Sequence, residues 1–382
     1  MGKKFILISS CSFHEKMVYA HSFEKIYDNL VKIDVRKTLT LHRFNVNDDI
    51  ESFIEYVHSI NDKADAVLFL YPDRENGFRA FLNRHYEDIP FDIIYADSYY
   101  IFGKYEHEEV IKMRTKGFLD FLSEFKQIPI YEVWERVKNG KNAKEDLKEV
   151  ERLFYIYLYI GGQKKLYDKV KNLIYSDGFA ATNFISKDHY VLLKNLALKK
   201  DKFVLDMVLN NICHSNLFLN FNHYKTRFSN CAESLKRLEF NGYIDIIERL
   251  EQKSYSVIQV VPEDIAYLSS FLAMNKSIPQ AYDFGSFYGM MQTYVINELK
   301  RYYEDVKFIK EYNDKKIIFK VDNSAFYLNY NINKDIPLSL INADVKNKVI
   351  LYNGEYKYDN KNKIYYVPFY LLSFFIKDLT NI

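Results

Sequence analysis

The stretch DAVLFLYPDRENGFRAFL at residues 65–82 decides the expected fold of the N-terminal part of the chain. It contains an apolar run at residues 66–71, whose length is typical of a buried strand. Pro72 ends the run, and the polar residues 73–75 follow it. Phe78, Phe81 and Leu82 then recur at helical spacing. The stretch therefore predicts one strand–loop–helix unit of an α/β domain.

The first 125 residues repeat this alternation of strand and helix patterns. Strands are predicted at residues 5–9, 41–46, 66–71 and 91–95, and helices at residues 22–33, 50–60, 78–82 and 106–125. Asn47, Asp48 and Asp49 are residue types that cap helix N-termini, and they stand just before the second helix. Strands and helices that alternate over short connections predict crossover units and a parallel sheet.

The pattern changes twice further along the chain. Residues 138–148, KNGKNAKEDLK, are polar and charged and predict an exposed connection. Residues 145–300 are mostly helical in pattern, whereas β-formers alternate beyond about residue 303, with turn residues such as Asn353-Gly354 between them. We therefore predict a Rossmann-like α/β domain at 1–137, a mainly helical region at 138–302 and a smaller α+β sheet domain with a C-terminal helix at 303–382.

Composition limits the function classes. Of 382 residues, 48% are hydrophobic, which excludes a wholly disordered chain. Lys and Arg number 53 against 51 Asp and Glu, so no bulk charge attracts nucleic acid or anionic lipid. The 34 Tyr and 30 Phe residues against one Trp are typical of a low-GC genome. A stacking surface for sugars or bases is the functional alternative.

Cysteine usage and hydropathy predict a cytoplasmic protein. Cys11, Cys213 and Cys231 are too few and too scattered for a disulfide framework. The N-terminal apolar run has about five residues, whereas a secretory signal needs roughly 7–15. No apolar run reaches the roughly 18 residues that would predict a membrane-spanning helix. We therefore expect no membrane association.

Polar segments follow three of the predicted strands, at residues 10–14, 71–75 and 96–99. Open parallel sheets bind ligands beyond the carboxyl ends of their strands, so these segments predict a ligand site. The candidate contact residues are Ser10, Ser12, His14, Asp73, Arg74, Asp97 and Ser98. Arg74 suits a carboxylate or phosphate, although a charged turn before a helix is the structural alternative. The predicted function is recognition of a small polar ligand in a sensor or regulatory role, with self-association left open.

The same edge also permits an enzyme. Cys11 and His14 could form a thiol–imidazole pair acting as nucleophile and base, with Asp97 as partner. Such a cysteine needs a histidine or a helix N-terminus beside it. This alternative is a transferase or hydrolase of a nucleotide or sugar, and a buried Cys with a solvated His is the structural alternative. The loop after the first strand contains no glycine and no dinucleotide-binding motif, and the chain contains no P-loop, so the sequence leaves any cofactor unknown.

Two further segments contain candidate binding residues. Cys213, His214, His223 and Cys231 match no standard zinc spacing, so no metal site is predicted. Residues 229–250, SNCAESLKRLEFNGYIDIIERL, resemble a winged-helix fragment in which Lys236 and Arg237 would face phosphates. A helix, a turn and a second helix is the alternative for that segment. A nucleic-acid-binding regulator therefore stays open, but the near-neutral net charge does not favour it.

Residues 1 to about 195 resemble part of a type I periplasmic-binding fold of the amide- and urea-receptor branch. The resemblance is carried by residues 10–16, by DAVLFLYPDRENGFRAFL and by residues 148–184, KEVERLFYIYLYIGGQKKLYDKVKNLIYSDGFAATNF. In that family a Ser-Asp-Tyr loop precedes an aromatic and a basic residue, which correspond here to Phe13 and Lys16. Cys11 and Ser12 depart from the family pattern and lack its polar contacts. The resemblance implies a ligand-sensing domain that keeps only the second lobe.

Overall fold

The chain forms two compact units in a computed structural model. The model describes residues 3–10, 13–34, 49–70, 76–96, 103–125, 128–162, 164–176, 199–213, 218–220, 231–250, 257–275, 284–310, 317–329 and 336–380. The first unit comprises Met1–Thr115, Leu193–Lys202 and Glu233–Tyr243. The second unit comprises Lys116–Leu192, Phe203–Ala232 and Ile244–Ile382. The chain therefore passes between the units several times, and the three domain boundaries expected from composition stay a prediction.

A five-stranded parallel sheet forms the centre of the first unit. Its strands are β1 Phe5–Ser9, β2 Leu30–Asp34, β3 Ala66–Leu70, β4 Asp92–Ala96 and β5 Glu108–Lys112. Their order across the sheet is β2-β3-β4-β1-β5, and every neighbouring pair is parallel. The predicted Rossmann-like α/β fold with a parallel sheet is confirmed.

Apolar clusters cover both faces of this sheet. The helices are α1 Phe13–Ser22, which a 3₁₀ turn at Phe23–Lys25 extends, α2 Ile50–Ile60 and α3 Asn76–Arg84. Leu7 belongs to a cluster with Phe53 and Phe81 of α2 and α3, whereas Ile8 belongs to a cluster with Ala20 of α1. Because successive strand residues point to opposite faces, β1 is apolar at each of its first four positions, Phe5 to Ile8.

Three expectations for this part of the chain meet different outcomes. The Asp49 side chain accepts a hydrogen bond from the Glu51 amide at 3.1 Å, which confirms the predicted N-cap of α2. The helix predicted at 22–33 is wrong: α1 ends at Ser22, and Leu30–Asp34 is β2. In β2 the buried Val31 and Ile33 alternate with the exposed Lys32, which is the period of two that is typical of a strand. The sequence predicted a helix instead because the apolar residues from Phe23 to Leu30 recur at helical spacing. The strand predicted at 41–46 lies outside the described residues.

A nine-stranded mixed sheet forms the centre of the second unit. Its strands are β6 Phe218–Asn220, β7 Ile244–Arg249, β8 Val257–Pro262, β9 Lys307–Lys310, β10 Ile317–Val321, β11 Ser324–Leu328, β12 Asn347–Tyr352, β13 Lys357–Asp359 and β14 Ile364–Pro368. Their order is β13-β14-β12-β11-β10-β9-β7-β8-β6, with parallel and antiparallel pairs. The predicted C-terminal α+β part is confirmed, and the sheet also takes in three strands of the middle region.

Ten further helices follow in the described part of the chain, most of them in the second unit. They are α4 Phe118–Ser123, α5 Ile130–Lys138, α6 Lys144–Ile160, α7 Lys164–Val170, α8 Lys199–Cys213, α9 Cys231–Phe240, α10 Ile265–Asn275, α11 Phe284–Tyr302, α12 Leu338–Ile341 and α13 Leu372–Thr380. The beginning of α8 and most of α9 belong to the first unit. Residues 289–299 of α11 are buried on every side. Within the described part of the chain, every helix is too short or too polar to cross a membrane.

Two helical expectations are corrected by these strands. Residues 106–125 hold β5 and α4 in place of one helix. The middle region is largely helical, as predicted, but β6, β7 and β8 interrupt it. Strands β7 and β8 contain short, mainly apolar segments, IDII and VIQVV, and periodicity alone cannot distinguish such a segment from a buried helix turn.

Candidate ligand site at the edge of the parallel sheet

The carboxyl ends of β3, β4 and β1 lie side by side at one edge of the first sheet. Leu70 pairs with Ala96, and Leu7 pairs with Tyr95, so the three neighbouring strands run in register. The described strands β3 and β4 therefore end at the same edge at which Ser10 follows β1. We call this the ligand edge. Cys11, Ser12, Asp73, Arg74, Asp97 and Ser98 lie outside the described residues, so their contacts stay a prediction.

Ser10 and His14 are the two predicted contact residues that the structure places. Ser10 follows β1 directly and is buried. His14 is the second residue of α1, although its side chain lies outside the described part of the chain. The loop after β1 therefore leads straight into a helix, whose N-terminus begins at the ligand edge and carries a partial positive charge.

Two buried charges in the first turn of α1 were not predicted as contacts. Glu15 is 8% exposed and Lys16 is 4% exposed. Glu15 suits the positive end of the helix dipole, whereas Lys16 opposes it. Charged side chains are seldom buried to this degree unless they are paired. The sequence identifies Lys16 only as the basic residue of the family resemblance, because a sequence does not show which charges are buried.

The last residue of β1 is bonded to a helix that is distant in sequence. The Ser9 hydroxyl donates a 2.6 Å hydrogen bond to the Phe240 carbonyl, across a sequence separation of 231 residues. Phe240 is the last residue of α9 and also packs against the apolar cluster that contains Phe53. The C-terminus of α9 is therefore held at the ligand edge.

A buried ion pair fixes the connection between β4 and β5. Arg79 on α3 donates to both carboxylate oxygens of Glu108, at 2.5 and 2.6 Å, and also to the Gly103 carbonyl. Its guanidinium lies 4.7 Å from the centre of the Tyr105 ring. Burial alone would lower the pKa of Arg79, but its bonds to Glu108 outweigh that effect and the pKa is raised. Arg79 thus stabilises the conformation of residues 103–108.

The arginine of the winged-helix-like segment, residues 229–250, forms a buried ion pair. Helix α9, a turn at Gly242 and strand β7 follow one another, so the helix–turn–helix alternative for residues 229–250 is wrong. Arg237 donates to Asp201 at 2.8 and 3.1 Å and also to Glu233. Because Arg237 is buried in this ion pair, it does not face phosphates, and of the two basic residues only Lys236 is exposed.

Metal ligands do not cluster in the described part of the chain. There, no group of three or more His, Cys, Asp or Glu side chains is arranged to hold an ion. Cys231 is buried, and burial raises the pKa of its thiol. His214 and His223 lie outside the described residues, as does the side chain of Cys213.

Polar groups inside the second unit join α11 to its surroundings. The Glu298 carboxylate accepts a 3.2 Å hydrogen bond from the Phe118 amide and lies 3.7 Å from Arg301. Burial raises the pKa of the nearby Tyr157 well above its ordinary value, and the negative charge of Glu298 adds to the effect. These groups connect α11 to the start of α4 and form a structural network.

The Gly161-Gly162 pair serves a turn. Gly161 has a φ of +64°, and a side chain there would clash with Asp264 and the Ala266 amide. The Asp264 carboxylate accepts hydrogen bonds from the Gly162 amide at 3.1 Å and the Ala266 amide at 2.9 Å. The two glycines therefore let the end of α6 approach the beginning of α10.

No protein-family model, no curated protein and no solved structure matches this chain. The resemblance to a type I periplasmic-binding fold therefore stays a prediction.

Proposed function

We propose that the chain recognises a small polar ligand at the ligand edge and that this recognition serves a sensor or regulatory role. The observation that carries the proposal is the parallel register of β3, β4 and β1. Neighbouring strands lie about 4.8 Å apart, so three polar segments begin within about 10 Å of one another. One small molecule is large enough to bridge them.

The chemistry of the edge supports a polar ligand. The proposed contacts are Ser10, Ser12, His14, Asp73, Arg74, Asp97 and Ser98. Arginine and the N-terminus of α1 suit an anionic group, whereas aspartate and serine suit an amine or hydroxyl. A ligand that carries an acidic group together with hydroxyl or amino groups fits this set best.

The bond between Ser9 and Phe240 supports the regulatory role. A ligand that moves the end of β1 also acts on the C-terminus of α9, because the two are hydrogen-bonded. The chain continues from α9 through Gly242 into β7 of the second unit. The polypeptide chain thus connects the helix at the ligand edge directly to a strand of the nine-stranded sheet.

Native mass spectrometry of gently purified protein tests the proposal. We expect a retained small molecule on the parent chain that is lost from Arg74→Ala and Asp97→Asn. Arg84→Ala and Asp62→Asn are matched controls, because both residues are exposed and away from this edge, and we expect them to keep the ligand. The same spectra give the number of subunits. Equal retention in all five proteins, with circular dichroism unchanged, would contradict the proposal.

The start of α1 favours the enzyme as a second candidate. Cys11 stands two residues before Phe13, the first residue of the helix. A helix N-terminus stabilises a thiolate, and His14 is close enough in sequence to act as its base. In this version the protein is a transferase or hydrolase of a nucleotide or sugar. Turnover that survives in a Cys11→Ser, His14→Ala double variant would rule out these roles.

A further inference from the structure

We draw no further inference here: the strongest candidate, the cluster of buried carboxylates around Arg301 and Tyr157 in the second unit, formed by Glu263, Asp264 and Glu298, belongs to the structural contacts already described at the Phe118, Gly162 and Ala266 amides, and nothing in the described part of the chain shows what it would bind.

Discussion

In the first unit, two buried arginines have carboxylate partners: Arg79 is bonded to Glu108, and Arg237 is bonded to Asp201. In the second unit, Gln259 and Gln292 are buried at least as deeply, and their amides have no partner. Buried ion pairs that are fully bonded hold chain segments in one arrangement. The second unit also contains a buried charged network, in which the Arg301 guanidinium lies 3.7 Å from the Glu298 carboxylate. The comparison teaches that burial alone does not decide whether a polar side chain has a protein partner.

The largest expected effect is a loss of folding stability at high pH, caused by the buried tyrosine side chains of the second unit. Burial raises the pKa values of Tyr159, Tyr288, Tyr302, Tyr356 and Tyr370 to about 12. Between pH 10 and pH 12 the unfolded chain loses phenolic protons that the folded chain keeps. Stability from these groups is therefore complete below pH 10 and is lost as the pH rises through about 12.

Urea unfolding across this pH range, with tyrosinate absorbance of the native and denatured chain, measures the effect. A Tyr288→Phe variant removes one phenol and should make the decline in stability shallower. Native and denatured proteins that ionise at the same pH would contradict the prediction.

The next effect concerns the bonded ion pair of α3 and β5. Glu108→Leu leaves the Arg79 guanidinium buried without its carboxylate, and we expect the free energy of unfolding to fall by about 3–5 kcal/mol. An Arg79→Met, Glu108→Leu double variant should recover most of that loss, since no charge is then left unpaired. Urea denaturation measures both. A loss of less than about 1 kcal/mol for the single variant would break the contrast between the units.

A smaller effect is expected at the second ion pair. Asp201→Asn removes the carboxylate charge opposite Arg237, which keeps Glu233 and the Ser234 hydroxyl as partners. We expect a loss of about 2 kcal/mol in urea denaturation. Glu233→Gln is the matched control, because that side chain is 64% exposed and its change should alter stability by less than about 0.5 kcal/mol. Equal losses for the two variants would show that burial does not decide the outcome.

The smallest effect is local to α2. Asp49→Ala removes the N-cap bond to the Glu51 amide and should cost about 1 kcal/mol. Asp49→Ser keeps a capping oxygen and should cost only a fraction of that amount. If the serine variant loses as much as the alanine variant, the cap contributes through charge and not through its hydrogen bond.

Local pattern predicted much of the first unit. Strands β1, β3 and β4 are short apolar runs bounded by polar residues, and Asp49 marks the start of α2, so each could be read without its neighbours. Strand β2 was missed because Phe23, Ile26, Tyr27 and Leu30 imitate helical spacing. The edge at which β1, β3 and β4 end together followed from the predicted parallel topology. Its buried Glu15 and Lys16 did not follow, since burial depends on what covers α1.

The sequence by itself determined the α/β class, the parallel sheet and the edge from which the polar loops leave. Each depends on residues a few positions apart, where side-chain period and capping chemistry act. The tertiary structure alone decided that Ser9 meets Phe240, that Arg79 meets Glu108, and that Gln259 and Gln292 are buried. These outcomes depend on which distant segments pack together, and the free energy of that packing is spread over the whole chain.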